Sequence, residues 1–477
     1  MLLYTIILFN FDTNPRLFNQ TYKVKMAFYS YFDSPDSYTN KFDFPQKGGS
    51  PQLLDKLMQF IEERKDRIQQ IDLAWYLFNN RVFYEFLKEL AKDGIKINVV
   101  TIPLEGFDTE NPRKIKFADS NEYSDKEFSK YDLARDIFRE HYKSNNTNGF
   151  NLNFFPHLYV RSPHVKKFSR GKLPYSLHIK ACYISMKNGF ASILSSSNFA
   201  VRDLVKNESL LIIENEEAYQ KPFENFFKDL KTNSIDIHDY SKELNTTCNR
   251  YPFSEAINAD EAFFSAPFYF DSSFEMESKL IDLLKGAKKE IRICAQHLAA
   301  FNYTVSSKFH SNFPHDVRKT GVLGELIACA NRGVEVNCLS QTFSAPSDLI
   351  GNFNQDEFRR PANTRSFQEF ISELVKCKTV SYFVNESVHS KYMVIDDIVV
   401  FCTYNYTPTQ FIYLDKVNIS SFKEMPELSY SGIHCEVASH VVIADSKTVK
   451  EFASNFDDIC TCNESKQVIF SAEKRYV

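Results

Sequence analysis

Two His-x-Lys pairs are the residues of this sequence whose types and spacing suit phosphoryl chemistry. The first pair is His178 and Lys180, and the second is His389 and Lys391, which continues to Asp396 as H-x-K-x4-D. Alternate residues of a strand point to the same face, so each imidazole and its ammonium group are predicted to project toward one pocket. An imidazole can attack phosphorus or donate a proton, and an ammonium can neutralise a phosphate oxygen.

Each pair is followed by an Asn in a turn and then by a Glu at the head of an apolar strand. Asn198 and Asn405 fill the first position, and Glu208 and Glu436 fill the second. One H-x-K-x4-D match arises by chance in roughly one chain in twenty of this length at average composition. Two His-x-Lys pairs that are each followed by an Asn turn and a Glu-led strand are not expected by chance. These positions are therefore interpreted as a duplicated site.

The chemistry of such a site is that of a phosphodiester. If two halves meet about a pseudo-twofold axis, they assemble two His, two Lys and two Asn around one phosphate. The Lys and Asn donors would stabilise the nonbridging oxygens as negative charge builds up in the transition state. One imidazole would attack while the other protonates the leaving oxygen, which requires that their pKa values be pushed apart.

The elements around the two pairs repeat in the same order. Apolar residues at helical spacing predict a helix at the start of each half and a second helix after the first strand. The second helix is predicted to end at Gly94 in the first half and at Gly333 in the second. The remaining predicted elements are strands at 71–78, 95–102, 291–295 and 334–339, and amphipathic helices around 128–138, 223–230, 367–374 and 449–456. Alternating strands and helices indicate α/β units with a helix-covered sheet.

The predicted organisation is an N-terminal extension over 1–26, a first half over 27–240, a linker over 241–260 and a second half over 261–477. Tandem units of this kind usually pack together and bind ligands between them. A chance similarity of two ordinary βαβ segments is the alternative, and the paired motifs argue against it.

These residues resemble the phospholipase D superfamily. The repeat covers nearly the whole chain from about residue 27, and the segment 291–297 is similar to that family's first strand and Gln-containing turn. The resemblance implies two α/β/α sandwich halves related by a pseudo-twofold axis, a phosphohistidine intermediate, and no metal or other cofactor. It also implies that His178 attacks and that His389 is the general acid. The remaining residues are implied to bind phosphate (Lys180, Lys391, Asn198 and Asn405) or to orient the imidazoles (Glu208 and Glu436).

The first motif departs from the family pattern. Ser185 stands where the second motif has Asp396, and both turns lack the usual Gly-Ser. Asp396 lies a full strand length from His389, so it is expected to support the fold rather than to transfer protons. Tyrosyl-DNA phosphodiesterases, a branch of the same superfamily, also lack this Asp, so activity is expected to survive.

The substrate is less well defined by the sequence. No Asp or Glu occurs from His141 through Arg202, although the chain has 57 Lys and Arg against 61 Asp and Glu and a net charge of −4. A basic loop in this segment enters the first motif and is predicted to follow a nucleic-acid backbone. Its residues are Arg161, Lys166, Lys167, Arg170 and Lys172. A nuclease is therefore favoured, and the alternatives are a phospholipid hydrolase or phosphatidyltransferase and a non-catalytic nucleic-acid-binding relative.

The composition is typical of a globular protein without a membrane span. The charged fraction of 25% and hydrophobic fraction of 43% are ordinary for a globular protein, and no apolar run is long enough to cross a bilayer. The ten cysteines are scattered and are interpreted as reduced core thiols. We therefore expect a cytoplasmic protein without stable membrane insertion; the oligomeric state is not predicted.

Overall fold

The protein is described by a computed structural model, and its described residues cover most of both predicted halves. They are 26–34, 52–102, 125–144, 149–155, 158–161, 172–175, 177–200, 203, 206–239, 255–266, 268–269, 272–296, 298, 302–303, 318–319, 321–341, 377–406 and 437–467. The predicted helix at 367–374 and nearly all of the predicted N-terminal extension lie outside them, as does most of the predicted linker.

The first half is an α/β unit with a 3-10 turn at Lys65–Arg67. Its helices and strands are β1 (Ala27–Asp33), α1 (Gln52–Glu62), β2 (Ile68–Trp75), α2 (Arg81–Lys92), β3 (Lys96–Thr101), α3 (Asp125–Lys143), β4 (Phe150–Phe154), β5 (Leu158–Arg161), β6 (Lys172–Tyr175), β7 (Lys180–Met186), β8 (Gly189–Ser195), β9 (Glu208–Glu214), α4 (Glu217–Thr232) and β10 (Ile235–Asp236).

The second half repeats this order. Its helices and strands are β11 (Ala262–Ser265), α5 (Ser272–Lys285), β12 (Glu290–Cys294), β13 (Asn302–Tyr303), β14 (Arg318–Lys319), α6 (Gly321–Asn331), β15 (Glu335–Ser340), β16 (Val380–Val384), β17 (Tyr392–Ile395), β18 (Ile398–Cys402), β19 (Ala438–Ile443), α7 (Ser446–Thr461) and β20 (Lys466–Gln467).

Each half is built on an eight-stranded mixed sheet, and the two sheets have matching strand orders. The first is β1-β9-β8-β7-β2-β3-β4-β10, and the second is β11-β19-β18-β17-β12-β15-β16-β20. In each sheet the three strands of the βαβ units are parallel, and the strands that follow the His-x-Lys pair are antiparallel. The predicted pair of tandem α/β halves is confirmed.

Local signals explain where helices begin and end. The Asn80 side chain accepts the Phe83 N–H at 3.0 Å and caps the start of α2. Gly94 ends this helix with a positive φ of 90°, and Gly333 ends α6 in the same conformation at 92°, which a glycine adopts without a Cβ clash. These are the two helix ends that the sequence predicts.

Helices α4 and α7 lie between the two sheets and join the halves. Each contacts strands of both sheets, and they share one apolar core with the inner faces of those sheets. Phe226 of α4 stacks on Phe264 of β11 at 4.3 Å between ring centroids, and Phe452 of α7 meets Phe32 of β1 edge-on at 4.9 Å. The outer faces of the two sheets carry separate cores. The halves are therefore fixed relative to each other by buried aromatic contacts.

Candidate active site

The two His-x-Lys pairs occupy the same place in the two sheets. Strands β7 and β17 begin at or just after the lysine, so each histidine lies in the segment immediately before its strand. The Lys180 Nζ atom lies 3.5 Å from the His178 carbonyl oxygen, and Lys391 makes the corresponding bond to the His389 carbonyl. Both lysine side chains are fully buried. Buried ammonium groups are costly to remove from water, and two of them in corresponding places make this part of the fold a functional candidate.

The two Asn turns are held by equivalent hydroxyl groups. Ser196 donates its backbone N–H to the Ser209 carbonyl at 2.9 Å, and its Oγ accepts the Ser209 N–H at 2.9 Å. Thr403 makes the same two bonds to Ser439, both at 3.0 Å. Ser196 and Thr403 occupy the position of the Ser in the usual Gly-Ser pair. A Ser hydroxyl and a Thr hydroxyl accept the same backbone N–H group at this position.

Asn198 and Asn405 therefore hold equivalent positions, each two residues after its bonding hydroxyl, and both are half-buried. The Asn198 turn is braced further by the buried Asp203, which accepts the Ser197 Oγ–H at 2.7 Å and the Ala200 N–H at 3.2 Å. Phe199, beside Asn198, has a positive φ of 56°. The sequence motifs do not identify Asp203, whose one signal is its place directly after the acid-free segment.

The second His-x-Lys segment is bonded to the first half. The Asn207 carbonyl accepts the backbone N–H groups of His389 and Ser390 at 3.1 and 2.8 Å, and the Asn207 N–H donates to Ser387 at 2.6 Å. Ser390 Oγ also donates to the Asn207 carbonyl and accepts from Ser209 Oγ at 3.2 Å. The segment that leads into β9 of one half thus positions the histidine of the other.

This junction places the Glu208 carboxylate against the His389 ring. Glu208 Oε1 lies 2.5 Å from His389 Nδ1, although the angles at these two atoms depart from hydrogen-bond geometry. The other oxygen, Oε2, accepts a hydrogen bond from Ser196 Oγ. Only 1% of the Glu208 side chain and 14% of the His389 side chain are exposed. A carboxylate at Nδ1 favours the tautomer with its proton on Nδ1, which leaves the Nε2 lone pair available.

Burial sets the charge of this pair. It lowers the pKa of His389 well below its ordinary value, and the Lys391 ammonium and, more weakly, that of Lys180 act in the same direction. Burial also raises the pKa of Glu208 to about 7, although Lys391 and Lys180 act against the rise. We conclude that the imidazole is the neutral partner. The charge of Lys180 acts on both Glu208 and His389, so groups from the two halves meet in one site.

The hydrogen-bond register identifies the residue of the second half that corresponds to Glu208. Since Ser209 and Ser439 make equivalent bonds, the residues before them are equivalent, and these are Glu208 and Ala438. Glu436, the second residue predicted to orient an imidazole, lies outside the described residues. At the position of Glu208 and Ala438 the two halves therefore differ in sequence.

Asp396 lies at the far end of its strand pair, in the turn between β17 and β18. Its carboxylate accepts the backbone N–H groups of Lys288, Lys289 and Glu290 at 2.8 to 2.9 Å. These bonds hold the loop that leads into β12. In the first half, Ser185 takes the equivalent position, and the pairing of β2 with β7 shifts register there between Ile68 and Gln70.

Tyr76 is a further residue of the first half-site that the sequence motifs do not identify. Its ring lies 5.6 Å from the His178 ring, between centroids, and Lys180 Nζ lies 5.4 Å from its centroid. The strand pairing places Gln296 at the same position in the second half. No sequence signal distinguishes Tyr76 from the core aromatic residues around it.

One group of three side chains with metal-binding atoms occurs among the described residues. Asp203, Glu208 and His389 each bring one such atom within 4.8 Å of the others. The ammonium charge of Lys391 acts on both Glu208 and His389, and that of Lys180 does the same, which opposes a divalent cation at this place. This group therefore suits an acid–imidazole pair better than a metal site.

The predicted basic loop is only partly within the described residues. Strands β5 and β6 form a two-stranded hairpin in which Arg161 pairs with Lys172. Lys166, Lys167 and Arg170 lie outside the described residues. The hairpin precedes His178 by a few residues along the chain.

The fold defines a protein with two joined α/β halves, each of which carries one His-x-Lys pair at the equivalent place in its sheet. A family model described as "Cardiolipin synthase, PLD-like domain" matches residues 57–231 and 280–424, which is more than half of the chain. The chain therefore belongs to the family of phospholipase D-like domains.

Solved structures with similar folds share little sequence with this chain. Polyphosphate kinase from Porphyromonas gingivalis is 10% identical, with 92% of this chain and 48% of the kinase covered and a TM-score of 0.50. Phosphatidylserine synthase from Haemophilus influenzae is 13% identical, with 88% and 86% covered and a TM-score of 0.47. A yeast tyrosyl-DNA phosphodiesterase mutant is 12% identical, with 82% and 86% covered and a TM-score of 0.37. The chain spans about half the length of the kinase. No curated protein sequence matches the chain.

Proposed function

We propose that this chain is a metal-independent phosphodiesterase that works through a phosphohistidine intermediate, and that its substrate is DNA or RNA. The observation that carries the proposal is the burial of two ammonium groups, Lys180 and Lys391, beside two imidazoles at the junction of the halves. A phosphodiester anion would compensate these charges where water cannot.

The steps of the reaction follow from the groups present. Lys180 and Lys391 bind the nonbridging oxygens, and the amides of Asn198 and Asn405 add neutral donors. One imidazole attacks phosphorus in its neutral form, and the other gives a proton to the leaving oxygen. Water then attacks the phosphohistidine and passes a proton back to the second imidazole. Asp396 takes no part in these steps, because its carboxylate is committed to three backbone amides.

The assignment of a nucleic-acid substrate rests on local charge. The acid-free segment from His141 through Arg202 supplies the β5–β6 hairpin that leads into the first motif. Basic groups along a hairpin beside the scissile phosphate would bind neighbouring phosphates of a backbone. The alternative is a phospholipid hydrolase or phosphatidyltransferase, which the description of the matched family model favours. No helix among the described residues is long and apolar enough to cross a membrane.

The test is a substrate panel assayed in EDTA. Purified protein is incubated with labelled DNA, labelled RNA and phospholipid vesicles, alongside His178→Ala and His389→Ala. His238→Ala is the matched control, because His238 lies beyond β10 and pairs with Asp236 at 2.8 Å. We expect oligonucleotide cleavage that persists in EDTA, falls at least a thousandfold in both site variants, and is unchanged in the control.

The other outcomes separate the alternatives. Release of headgroup from vesicles without cleavage of oligonucleotides would replace the nuclease by a lipid enzyme with the same site. Oligonucleotide binding without turnover would support a non-catalytic relative. Turnover that survives in both histidine variants would reject the site itself.

A further inference from the structure

The turn that carries Asn405 is flanked by two buried tyrosines. Tyr404 and Tyr406 are 0% and 1% exposed, and their rings meet edge-on at 5.8 Å between centroids in the outer core of the second half. Asn405, between them, is half-buried. The backbone on both sides of this amide is therefore anchored by side chains that the core encloses.

The hydroxyl groups of both tyrosines are bonded to groups on neighbouring strands. Tyr404 Oη lies 3.1 Å from Nδ1 of His440 on β19. Tyr406 Oη lies 3.1 Å from Sγ of Cys402 at the end of β18. The backbone of Tyr406 also forms a parallel bridge with Leu298. Each ring is therefore fixed by a directional bond as well as by packing.

Strand β19 holds two consecutive residues of this turn. Ser439 exchanges two hydrogen bonds with Thr403, one through the Thr403 N–H and one through its hydroxyl. The next residue of the strand, His440, bonds to the next residue of the turn, Tyr404. Asn405 therefore follows directly after two residues that are bonded to β19.

The imidazole of His440 is not needed to fill the core. The ring is fully buried and stacks on Phe263 at 5.6 Å between centroids. Burial, with the Lys279 ammonium acting in the same direction, lowers its pKa to about 3, so the ring is neutral. Its Nε2 atom has no hydrogen-bond partner among the described residues. Since an apolar side chain of similar size would avoid a buried unpaired nitrogen, what the imidazole adds is a bond of fixed direction to Tyr404.

From this arrangement we infer that Tyr404 and His440 are positioning residues, which hold the Asn405 amide where it meets the transition state of the proposed phosphodiesterase. The inference rests on the proposed function and deepens it, because it assigns a role in turnover to residues of the core behind the site. A donor to a nonbridging oxygen must be held within about 0.5 Å of its productive place. Loss of the bond between Tyr404 and His440 would loosen the turn beside the amide while both rings stay in the core.

A pair of changes separates turnover from stability. Tyr404→Phe removes the bond and leaves the His440 Nδ1 buried without it, whereas Tyr404→Phe combined with His440→Leu removes both polar groups. His440→Asn keeps an amide that can bond to the Tyr404 hydroxyl. Each protein is assayed by steady-state cleavage of the panel substrate that the wild type turns over, and by urea unfolding. Tyr219→Phe is the matched control, because it removes a buried hydroxyl bonded to the Val442 carbonyl at 2.7 Å.

The inference predicts that kcat and the urea midpoint change independently. Tyr404→Phe should lower kcat about tenfold with KM within about threefold of wild type. The combined variant should keep this loss of kcat although its urea midpoint returns toward that of the wild type. His440→Asn should retain kcat within about threefold. Tyr219→Phe should lower the urea midpoint and leave kcat unchanged.

A double-mutant cycle with Asn405 completes the test. Asn405→Ala should lower kcat about a hundredfold, and Tyr404→Phe should have no further effect on kcat in that background. The inference is overturned if kcat recovers together with the urea midpoint in the combined variant, if Tyr404→Phe leaves kcat unchanged, or if its cost is the same with and without Asn405. Each of these results leaves the proposed function standing. If the wild-type protein turns over no member of the substrate panel, the proposed function fails, and this inference fails with it.

Discussion

Replacement of Glu208 by Gln tests the electrostatic reasoning directly. Gln keeps the shape of the side chain, and its amide oxygen can still accept from Ser196 Oγ, so the change removes little but the negative charge. In the free enzyme the imidazole is neutral, and the loss should affect binding of substrate only weakly. Whether His389 attacks or donates the proton, its ring is positive at one stage of the reaction, and the missing charge should then raise the barrier.

The magnitude follows from the contact distance. Glu208 Oε1 and His389 Nδ1 are 2.5 Å apart, and the centres of the two delocalised charges are roughly 4 Å apart, which corresponds to about 4 kcal/mol at an effective dielectric constant of about 20. The Gln dipole recovers part of this. We expect a loss of about 2–4 kcal/mol, which lowers kcat by about 30- to 1000-fold with KM changed less than about threefold.

The pH dependence gives a second readout. Burial raises the pKa of Glu208 to about 7, and the anion is the active form, so kcat should rise as the pH increases through about 7. The acid limb due to His389 lies much lower, because burial lowers the pKa of that imidazole well below its ordinary value. Glu208→Gln should therefore lose the limb near pH 7.

The assay is steady-state cleavage of a fluorescent oligonucleotide, or of bis(p-nitrophenyl) phosphate, from pH 5 to 9. Glu89→Gln serves as the control, since Glu89 is an exposed helix residue paired with Lys92. A Glu208→Gln variant with kcat within threefold of wild type and an unchanged acid limb would refute the charge argument, even if the protein folds normally.

Three further results are expected. Asp396→Asn should cost about 1–2 kcal/mol of unfolding free energy in urea, because one amide oxygen replaces a carboxylate that accepts three N–H groups, while kcat/KM changes less than about twofold. Burial lowers the pKa of Lys391 to about 8, so affinity for a non-hydrolysed phosphodiester analogue should fall as the pH rises through about 8, and Lys391→Arg should retain affinity at higher pH in the same titration. Phe452→Ala should cost about 3–5 kcal/mol and unfold both halves in one urea transition, because its ring packs on Phe32 and Tyr392 from the two sheets; two separate transitions in the wild type would contradict the shared core.

The sequence predicts those features of the fold and the site that are encoded within a few consecutive residues. The duplicated order of strands and helices, the two His-x-Lys pairs and the two Asn turns are each written within a few residues, and strand and helix periodicity is enough to place them. Gly94 and Gly333 end their helices as predicted. The predicted strand at 71–78 lies instead at Ile68–Trp75, because Asn80 caps the next helix and the residues before it form the connecting turn.

The remaining features of the site depend on how the halves pack. Nothing in the spacing of Glu208 from Asn198 shows that its carboxylate reaches the histidine of the other half, 181 positions away (389 − 208). Asp203 is positioned by the fold of the Asn198 turn, and Tyr76 by the end of β2. Only the hydrogen-bond register shows that Ala438 is the residue of the second half equivalent to Glu208. The sequence pattern alone selects Glu436, two positions earlier.

Different surroundings for the two rings are a physical benefit for a reaction that uses two imidazoles in opposite protonation states. If both rings had the same pKa and titrated independently, at most about a quarter of the molecules would hold one chosen ring neutral and the other protonated. Any difference between the two environments raises that fraction. On the His389 side, the described residues supply one buried carboxylate, Glu208, which the first half brings to the second. Because the carboxylate and the imidazole it serves belong to different halves, the pairing exists only when the halves are docked through α4 and α7, so the core between the sheets is also a requirement of the chemistry.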